Sequence, residues 1–330
     1  MVAKEQLISE QTTHIVGMRR PIHFGYNPET GKDNKYQHML PGETGRSVRK
    51  KALGEYDGMV EQLTESGIVV FQLPTRRGIK TPDGVFPNNG FSLDSYGPGR
   101  SKGTLVLYPM YAPNRRAERQ TDELLRSLKG LGMEPYVYDL TNHEQEEDGN
   151  ARALEGTGSM VLDRVNKNAF AVESLRTHRT VFNEWVDKMD YTPFFARAAD
   201  TENPPYHTNV ILSVGKNYAV VCPEVIDERD RPEFLGRLKD TKKDVIEITQ
   251  GQVASFCGNI LEVQTTQGDP RIVMSNSAYG GFTEIQRAKL ERHGGLVPVE
   301  IDTIEKVGGG SARCMLAEIF LPVQNQQKAA

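Results

Sequence analysis

Apolar residues in this chain gather in short runs dominated by β-branched and aromatic side chains. Those runs predict strands over 13–18, 68–73, 104–108, 135–140, 159–162, 169–172, 208–214, 218–222, 260–263, 271–274, 296–301 and 315–321. Between them apolar positions recur at helical spacing, which predicts five helices over 46–66, 114–130, 180–190, 230–240 and 283–293. The second helix carries Leu124, Leu125, Leu128 and Leu131 as a stripe expected to face a core. The fifth opens on Thr283 and Glu284, a capping hydroxyl followed by an acidic first turn. Two or three strands separate each helix from the next, with no accompanying repeat of sequence identity. Strand pair, helix, strand, repeated five times, is the pattern of one closed ring of α/β units and so of a single domain over 1–330. A doubly wound sheet would alternate strand and helix one to one.

Composition narrows the class. Hydrophobic residues make up 37% and charged residues 25%, enough for a sizeable core and unlike a disordered chain. The net charge is −4 with both signs interspersed, so no basic face points to nucleic acid. No run approaches the ~20 apolar residues of a membrane span, and the first thirteen residues lack the apolar stretch of a signal peptide. Three cysteines, Cys222, Cys257 and Cys314, are too few for a disulfide framework, and reduced thiols point to the cytoplasm. The stretches 97–103 and 144–149 read as a flexible loop and a solvated acidic run.

Candidate chemistry centres on Cys314, which follows Gly308, Gly309, Gly310, Ser311, Ala312 and Arg313 and precedes an apolar run. A thiol after a glycine-rich turn, at the mouth of a strand, is unlike an ordinary core cysteine, because the glycines let backbone come close to whatever the thiol faces. Cys222 and Cys257 read as small buried residues. His207 lies at the entry to an apolar strand, where sites are commonly built, although by itself such a residue is more often a structural loop histidine. Glu155 precedes Gly156-Thr157-Gly158 and a strand; alone it is a turn carboxylate. Asn88 and Asn89 form a polar turn, and Arg115 with Arg116 opens the second helix while Arg176 follows a strand. The histidines show no metal-ligand spacing. Neither glycine run begins a helix after a strand, so a dinucleotide fingerprint is a poor reading. Together Glu155, His207 and Cys314 make a carboxylate, imidazole and thiol set. The thiol needs a lowered pKa or a neighbouring base to act as nucleophile, and the carboxylate would orient the imidazole or grip a nitrogen-rich substrate.

Six segments then resemble the guanidino-group-modifying superfamily of arginine deiminases, dimethylarginine dimethylaminohydrolases and amidinotransferases, and within it most resemble citrulline-utilisation hydrolases. They are 18–29, 85–89, 154–163, 206–209, 257–262 and 304–318, the last being the most specific. The resemblance implies a five-bladed, pseudo-fivefold α/β propeller (pentein) with the active site in its central channel. It implies Cys314 as nucleophile, His207 as acid and base, Glu155 as the carboxylate that holds substrate nitrogens, and Arg176 and Arg115 as clamps on a substrate carboxylate. It implies no metal or organic cofactor, a small amino-acid substrate as partner, and neither nucleic acid nor membrane; a homo-oligomer is left open. The chain departs from many relatives in having Asn88-Asn89 and Asn209 where acidic residues stand. It also has Gly90 where tryptophan is common, which would widen the pocket. An amide can donate to a neutral ureido oxygen, which a carboxylate cannot. The implied reaction is therefore hydrolysis of citrulline to ornithine, ammonia and CO2 through a covalent S-linked intermediate. An arginine deiminase or dimethylarginine dimethylaminohydrolase is the alternative, then an amidinotransferase, then a ribosome-binding factor of the same fold without this chemistry.

Overall fold

A computed structural model of the chain describes residues 10–99, 102–145 and 151–320. Five three-stranded sheets are built to one plan: an antiparallel pair, then a helix that returns the chain to a third strand parallel to the second. In the first, β1 (Ile15–Met18) leads through α1 (Gly45–Glu65) to β2 (Val69–Gln72). The second runs β3 (Phe91–Asp94), β4 (Thr104–Leu107), α2 (Thr121–Gly130) and β5 (Tyr136–Asp139). The single turn α3 (Gly156–Ser159) opens the third, followed by β6 (Met160–Asp163), β7 (Asn168–Val172), α4 (Arg179–Met189) and β8 (Thr192–Ala196). The fourth is β9 (Leu212–Val214), β10 (Tyr218–Val221), α5 (Arg231–Asp240) and β11 (Asp244–Glu247). After α6 (Gln250–Ala254), the fifth runs β12 (Leu261–Gln264), β13 (Pro270–Ser275), α7 (Asn276–Gly281), α8 (Glu284–Glu291) and β14 (Gly295–Val299). The chain then passes α9 (Asp302–Gly308) and places β15 (Ala317–Glu318) antiparallel to β1, so the C-terminal end supplies the missing strand of the first sheet. Each sheet is separate and open among the described residues.

The five long-range helices of the sequence reading are all present, and the strand-pair, helix, strand order repeats as expected. Three strands escaped that reading. β8 and β11 are outer edges, pairing on one side only, and β8 contains Pro193, which an edge tolerates because its missing N–H is not needed. β3 is four residues directly after Gly90. The stretch 208–214 is strand only from Leu212, because Thr208–Val210 forms a 3-10 turn whose Thr208 hydroxyl accepts the Val172 N–H at 2.8 Å. Likewise Cys314 does not head a long strand. It lies in the 3-10 turn Ala312–Met315; Ala317 and Glu318 pair with β1, and Ile319 makes a single parallel bridge to Leu93; Leu321 lies outside the described residues. Arg115 and Arg116 belong to the 3-10 turn Pro113–Glu118, separated from α2 by Gln120 in a left-handed conformation (φ 45°). Of the leucine stripe, Leu124 and Leu128 are fully buried while Leu131, just beyond the helix end, is 54% exposed. Glu144 is not simply solvated acid: its carboxylate is mostly buried and takes Arg119 and the Met110 N–H. Residues 146–149 of that run lie outside the described residues.

The middle strands β4, β7 and β10 are wholly buried, and β1 and β13 are buried except at their first residues. Trp185 and Phe182 of α4 join Ala169 and Ala171 of β7 in one apolar cluster; Tyr56, Met59 and Leu63 of α1 join Val16 and Met18 of β1 in another. No helix among the described residues is long and apolar enough to cross a membrane. The innermost strands of neighbouring sheets lie beside one another, β3 by β15, β6 by β9 and β9 by β12. The Gln11 amide ties two of them by donating to the carbonyls of Leu162 and Val214 at 2.9 and 3.0 Å. Just before β12, Gly258 runs so close to β9's approach that a Cβ there would stand 2.3 Å from the Val210 carbonyl oxygen. That neighbour is backbone and cannot turn aside. Gly258→Ala is expected to lower stability by about 2 kcal/mol, the scale of overpacking a tight site, as measured by denaturant melts.

Candidate active site

The turns at the inner ends of these sheets bring Glu155, His207 and Cys314 together, all buried. Glu155 precedes α3, and His207 precedes the 3-10 turn that leads into β9. Cys314 is set by a longer chain of support. The Glu55 carboxylate of α1 accepts the first free N–H groups of α9, from Thr303 and Ile304, at 2.8 and 2.9 Å. Helix α9 ends in Gly309 with φ 65°, whose N–H closes on Glu305. Glu305 in turn accepts the Ser311 hydroxyl, and the Ser311 carbonyl accepts the Cys314 N–H at 3.0 Å. The three glycines do allow close approach: side chains at Gly308 and Gly310 would meet the Phe86 ring, and one at Gly309 would meet Asn34. They end a helix and enter a 3-10 turn rather than a strand.

Glu155 is the centre of the polar network. Its carboxylate accepts from His207 Nε2 at 2.8 Å, Arg115 Nη1 at 3.2 Å and the Tyr111 N–H at 3.1 Å, with Arg176 Nη1 at 3.7 Å. Burial would raise this carboxyl, but Arg176, the His207 hydrogen bond and Arg115 hold it well below the usual carboxylate range. Burial lowers the His207 imidazole, an effect the Glu155 contact offsets only in part, so the ring is neutral near pH 7. An ionised carboxylate only accepts, so Nε2 carries the ring proton. Nδ1 is left as a free lone pair, and among the described residues it has no hydrogen-bond partner. A Cβ on Gly158 would lie 2.7 Å from this nitrogen and 2.4 Å from Asn89 Nδ2, so a glycine is required where the backbone passes these two groups.

Asn89 is oriented by its neighbour. Arg115 Nη2 donates to Asn89 Oδ1 at 3.1 Å, and because a guanidinium cannot accept, the oxygen must face it. The Asn89 Nδ2 donor is thereby turned the other way and is buried without a partner among the described residues. Asn88 points instead toward Thr157, 3.4 Å away. Asn209 Nδ2 donates to the Thr157 carbonyl at 3.1 Å and lies 3.7 Å from Cys314 Sγ. Asn259, part of the matching segment 257–262 but not singled out by its residue type, is nearer still. Its Nδ2 is 3.3 Å from Sγ and donates to the Asn209 carbonyl at 2.9 Å. Nothing in one sequence distinguishes a buried amide beside a sulfur from a buried amide satisfying backbone.

The two arginines face protein carboxylates. Arg115 is enclosed by Glu118 (2.9 Å), Glu155 (3.2 Å) and Asp83 (3.8 Å); Arg176 pairs with Asp33 at 2.7 and 2.9 Å. Gly90 does not open the pocket, since the Arg119 side chain packs over it with Cγ 3.2 Å from where a Cβ would stand. No group of three or more His, Cys, Asp or Glu side chains among the described residues could hold a metal ion.

The family to which the sequence matches is one of guanidino-group-modifying enzymes, hydrolases of C–N bonds. The chain belongs to the family described as N,N dimethylarginine dimethylhydrolase, eukaryotic, whose model matches residues 20–321. No curated protein matches in sequence. Among solved structures it resembles the substrate-bound N-terminal domain of ArgZ, an arginine dihydrolase from the ornithine-ammonia cycle in cyanobacteria. That likeness has a TM-score of 0.70 at 19% identity, covering 94% of this chain and 99% of that domain. The AgrE complex with ornithine and NAD+ matches with TM-score 0.67 at 18% identity, over 94% of this chain and 39% of AgrE. A dimethylarginine dimethylaminohydrolase adduct with S-methyl-L-thiocitrulline matches with TM-score 0.62 at 16% identity, over 93% and 100%. The chain spans 41% of full-length ArgZ. At these identities the likeness is one of fold.

Burial pushes the Cys314 thiol up, opposed in part by the Ser311 backbone, Asn259, Arg313 and Asn209. The resting site thus pairs a protonated thiol with a neutral imidazole. Iodoacetamide is expected to label Cys314 more slowly at pH 7 than it labels a free thiol. The rate should climb as pH passes the free-thiol value of about 8.5, read by peptide mass spectrometry. Labelling at pH 7 faster than a free thiol would show a thiolate held at rest.

Proposed function

We propose that the protein is a cysteine-dependent hydrolase of the ureido or guanidino group of an arginine-like amino acid, and that its substrate is citrulline. The observation that carries the choice of citrulline is the Asn89 amide. Its oxygen is committed to Arg115, so it offers a donor, Nδ2, beside the free Nδ1 of His207. A ureido oxygen accepts such a donor; a guanidinium, which has only N–H groups to present, does not. A second reading, a guanidino substrate, is favoured by the Asp83 carboxylate, which lines the same small cavity as Cys314.

In this reading Cys314 gives up its proton to His207 Nδ1, and the Asn259 and Asn209 amides support the developing thiolate. The sulfur attacks the ureido carbon. As the bond to the terminal nitrogen breaks, His207 returns a proton and ammonia departs, leaving an S-thiocarbamate. His207 then takes a proton from water, hydroxide adds to the same carbon, and the C–S bond breaks to restore the thiol. The released carbamate falls apart to CO2 and ornithine. Glu155 keeps the imidazole in the Nε2–H tautomer and stabilises its charged form. We further read the five sheets as blades of one closed five-bladed propeller forming a single catalytic domain, with Cys314 at its centre, working among the reduced thiols of a cytoplasm.

Purified protein is expected to release ammonia and form ornithine from citrulline faster than from arginine or dimethylarginine. Well-folded protein that turns over none of the three would sink the assignment. Cys314→Ser should abolish turnover, at least 10³-fold, with an unchanged melting curve. Asn89→Asp replaces the donor by an acceptor and should lower kcat/KM for citrulline by about 10- to 100-fold, the value of one charged or neutral hydrogen bond, while raising relative activity on arginine.

A further inference from the structure

Glu305 is a buried carboxylate outside the site described above. It lies in α9, is 4% exposed and does not line the cavity beside Cys314. No cation pairs with it among the described residues; its partners are three hydroxyls, those of Ser275 and Ser277 at the start of α7 and that of Ser311. Asp302, one turn earlier on the same helix, carries the same sign, and its own partner is the exposed Lys306 at 3.3 Å. From the segment before β12 the Cys257 thiol, itself pushed up by burial, is within electrostatic reach. Burial accordingly raises the Glu305 carboxyl above its ordinary value, and the three hydroxyls oppose it. An ion in such a place costs stability. A neutral residue of the same size would serve better if packing were all that counted.

What the charge holds is the turn that carries the thiol. Ser311 is fully buried, its hydroxyl goes to Glu305, and its carbonyl takes the Cys314 N–H at 3.0 Å. The Ser311 backbone is also the first of the contacts that favour a thiolate at Cys314. The other end of the brace is α7, whose first turn is fixed by the Ser275 hydroxyl accepting the Ala278 N–H at 3.0 Å. We propose that Glu305 is a positioning residue: its carboxylate ties the Ser311 turn to the start of α7 and thereby holds the Cys314 sulfur where Ser311, Asn259 and His207 serve it. An ionised carboxylate accepts from all three hydroxyls. A carboxyl or amide group presents an O–H or N–H on one side and must turn at least one hydroxyl round. The inference rests on the reading of Cys314 as nucleophile, but not on which substrate it attacks.

Glu305→Gln and Ser311→Ala, alone and together, test this with two readouts. In hydrolysis of whichever of citrulline and arginine the wild type turns over, each single variant is expected to lose about tenfold in kcat, the worth of one hydrogen bond to a charged group. KM should stay within about twofold, because neither side chain lines the cavity. In iodoacetamide labelling of Cys314 across pH, the midpoint should rise by about half a unit or more. Removing a negative charge would by itself lower that midpoint, so a rise reports position rather than charge. The double variant should match either single one, because both break the same link. A carboxyl raised by the fold is costly when ionised near neutral pH, so Glu305→Gln should melt no lower than the wild type. A wild-type kcat and midpoint in Glu305→Gln, a midpoint that falls, or additive losses in the double variant would each overturn the proposal. So would a melting temperature that drops together with kcat, which makes Glu305 a structural brace and nothing more. If the wild type hydrolyses neither substrate, the assigned reaction fails, and the labelling midpoints still decide the role of Glu305.

Discussion

The buried Glu155 carboxylate is the constraint on which the rest of the site depends. An ion with no exposure to water needs compensation from several sides at once. Here that comes from Arg115, His207, the Tyr111 N–H and, slightly farther off, Arg176. These contributors come from three stretches of the chain, around 111–115, 176 and 207, so satisfying one carboxylate fixes their mutual geometry. The same contacts set the chemistry. They fix the His207 tautomer and aim its free nitrogen, and through Arg115 they fix which way Asn89 turns. Replacing the carboxylate would therefore disturb a donor, a base and two arginines together.

The fold's contribution is to deliver turns rather than strands to this point. Each sheet buries its middle strand and leaves its outer strand at an edge, while the turns at the inner ends carry the polar groups. Glu155, His207, Asn259 and Cys314 come from four different stretches of sequence; Asn259 lies just before β12, and the other three lie just before or within a short helical turn. Short turns of this kind present side chains and backbone N–H groups where a strand would bury them in its ladder. The thiol has the most elaborate support, running from Glu55 through α9 and Glu305 to Ser311. Two asparagine amides, not a cation, lie nearest its sulfur. The raised thiol is consistent with that environment, since amides stabilise a thiolate less than a full positive charge would.

Middle strands and crossover helices were legible because their burial demands apolar runs or a helical stripe, as in β7 and α4. The outer strands β8 and β11 were not: Pro193 interrupts the apolar run of β8, and β11 carries Asp244 and Glu247 at its two ends, as an edge that pairs on one side allows. Short 3-10 turns lie where the sequence reads the start of a neighbouring element, at 114–118, 208–210 and Met315, and at 208–210 the contact that holds the turn comes from the distant Val172. Glu155, His207 and Cys314 were legible through their motifs. Asn259 and Asp33 were not, since each acts only through a partner far along the chain.

By itself the sequence determined the five repeats of strand pair, helix and strand, and the identities of the thiol, the imidazole and the carboxylate. Both are written in local signals, namely apolar spacing and residue type. Only the tertiary structure decided how those groups are used. The proton's place on His207, the outward turn of the Asn89 donor, the neutralisation of Arg115 and the pairing of Arg176 with Asp33 are all hydrogen-bonding choices. Each follows from which buried charge stands opposite, and long-range packing alone determines that.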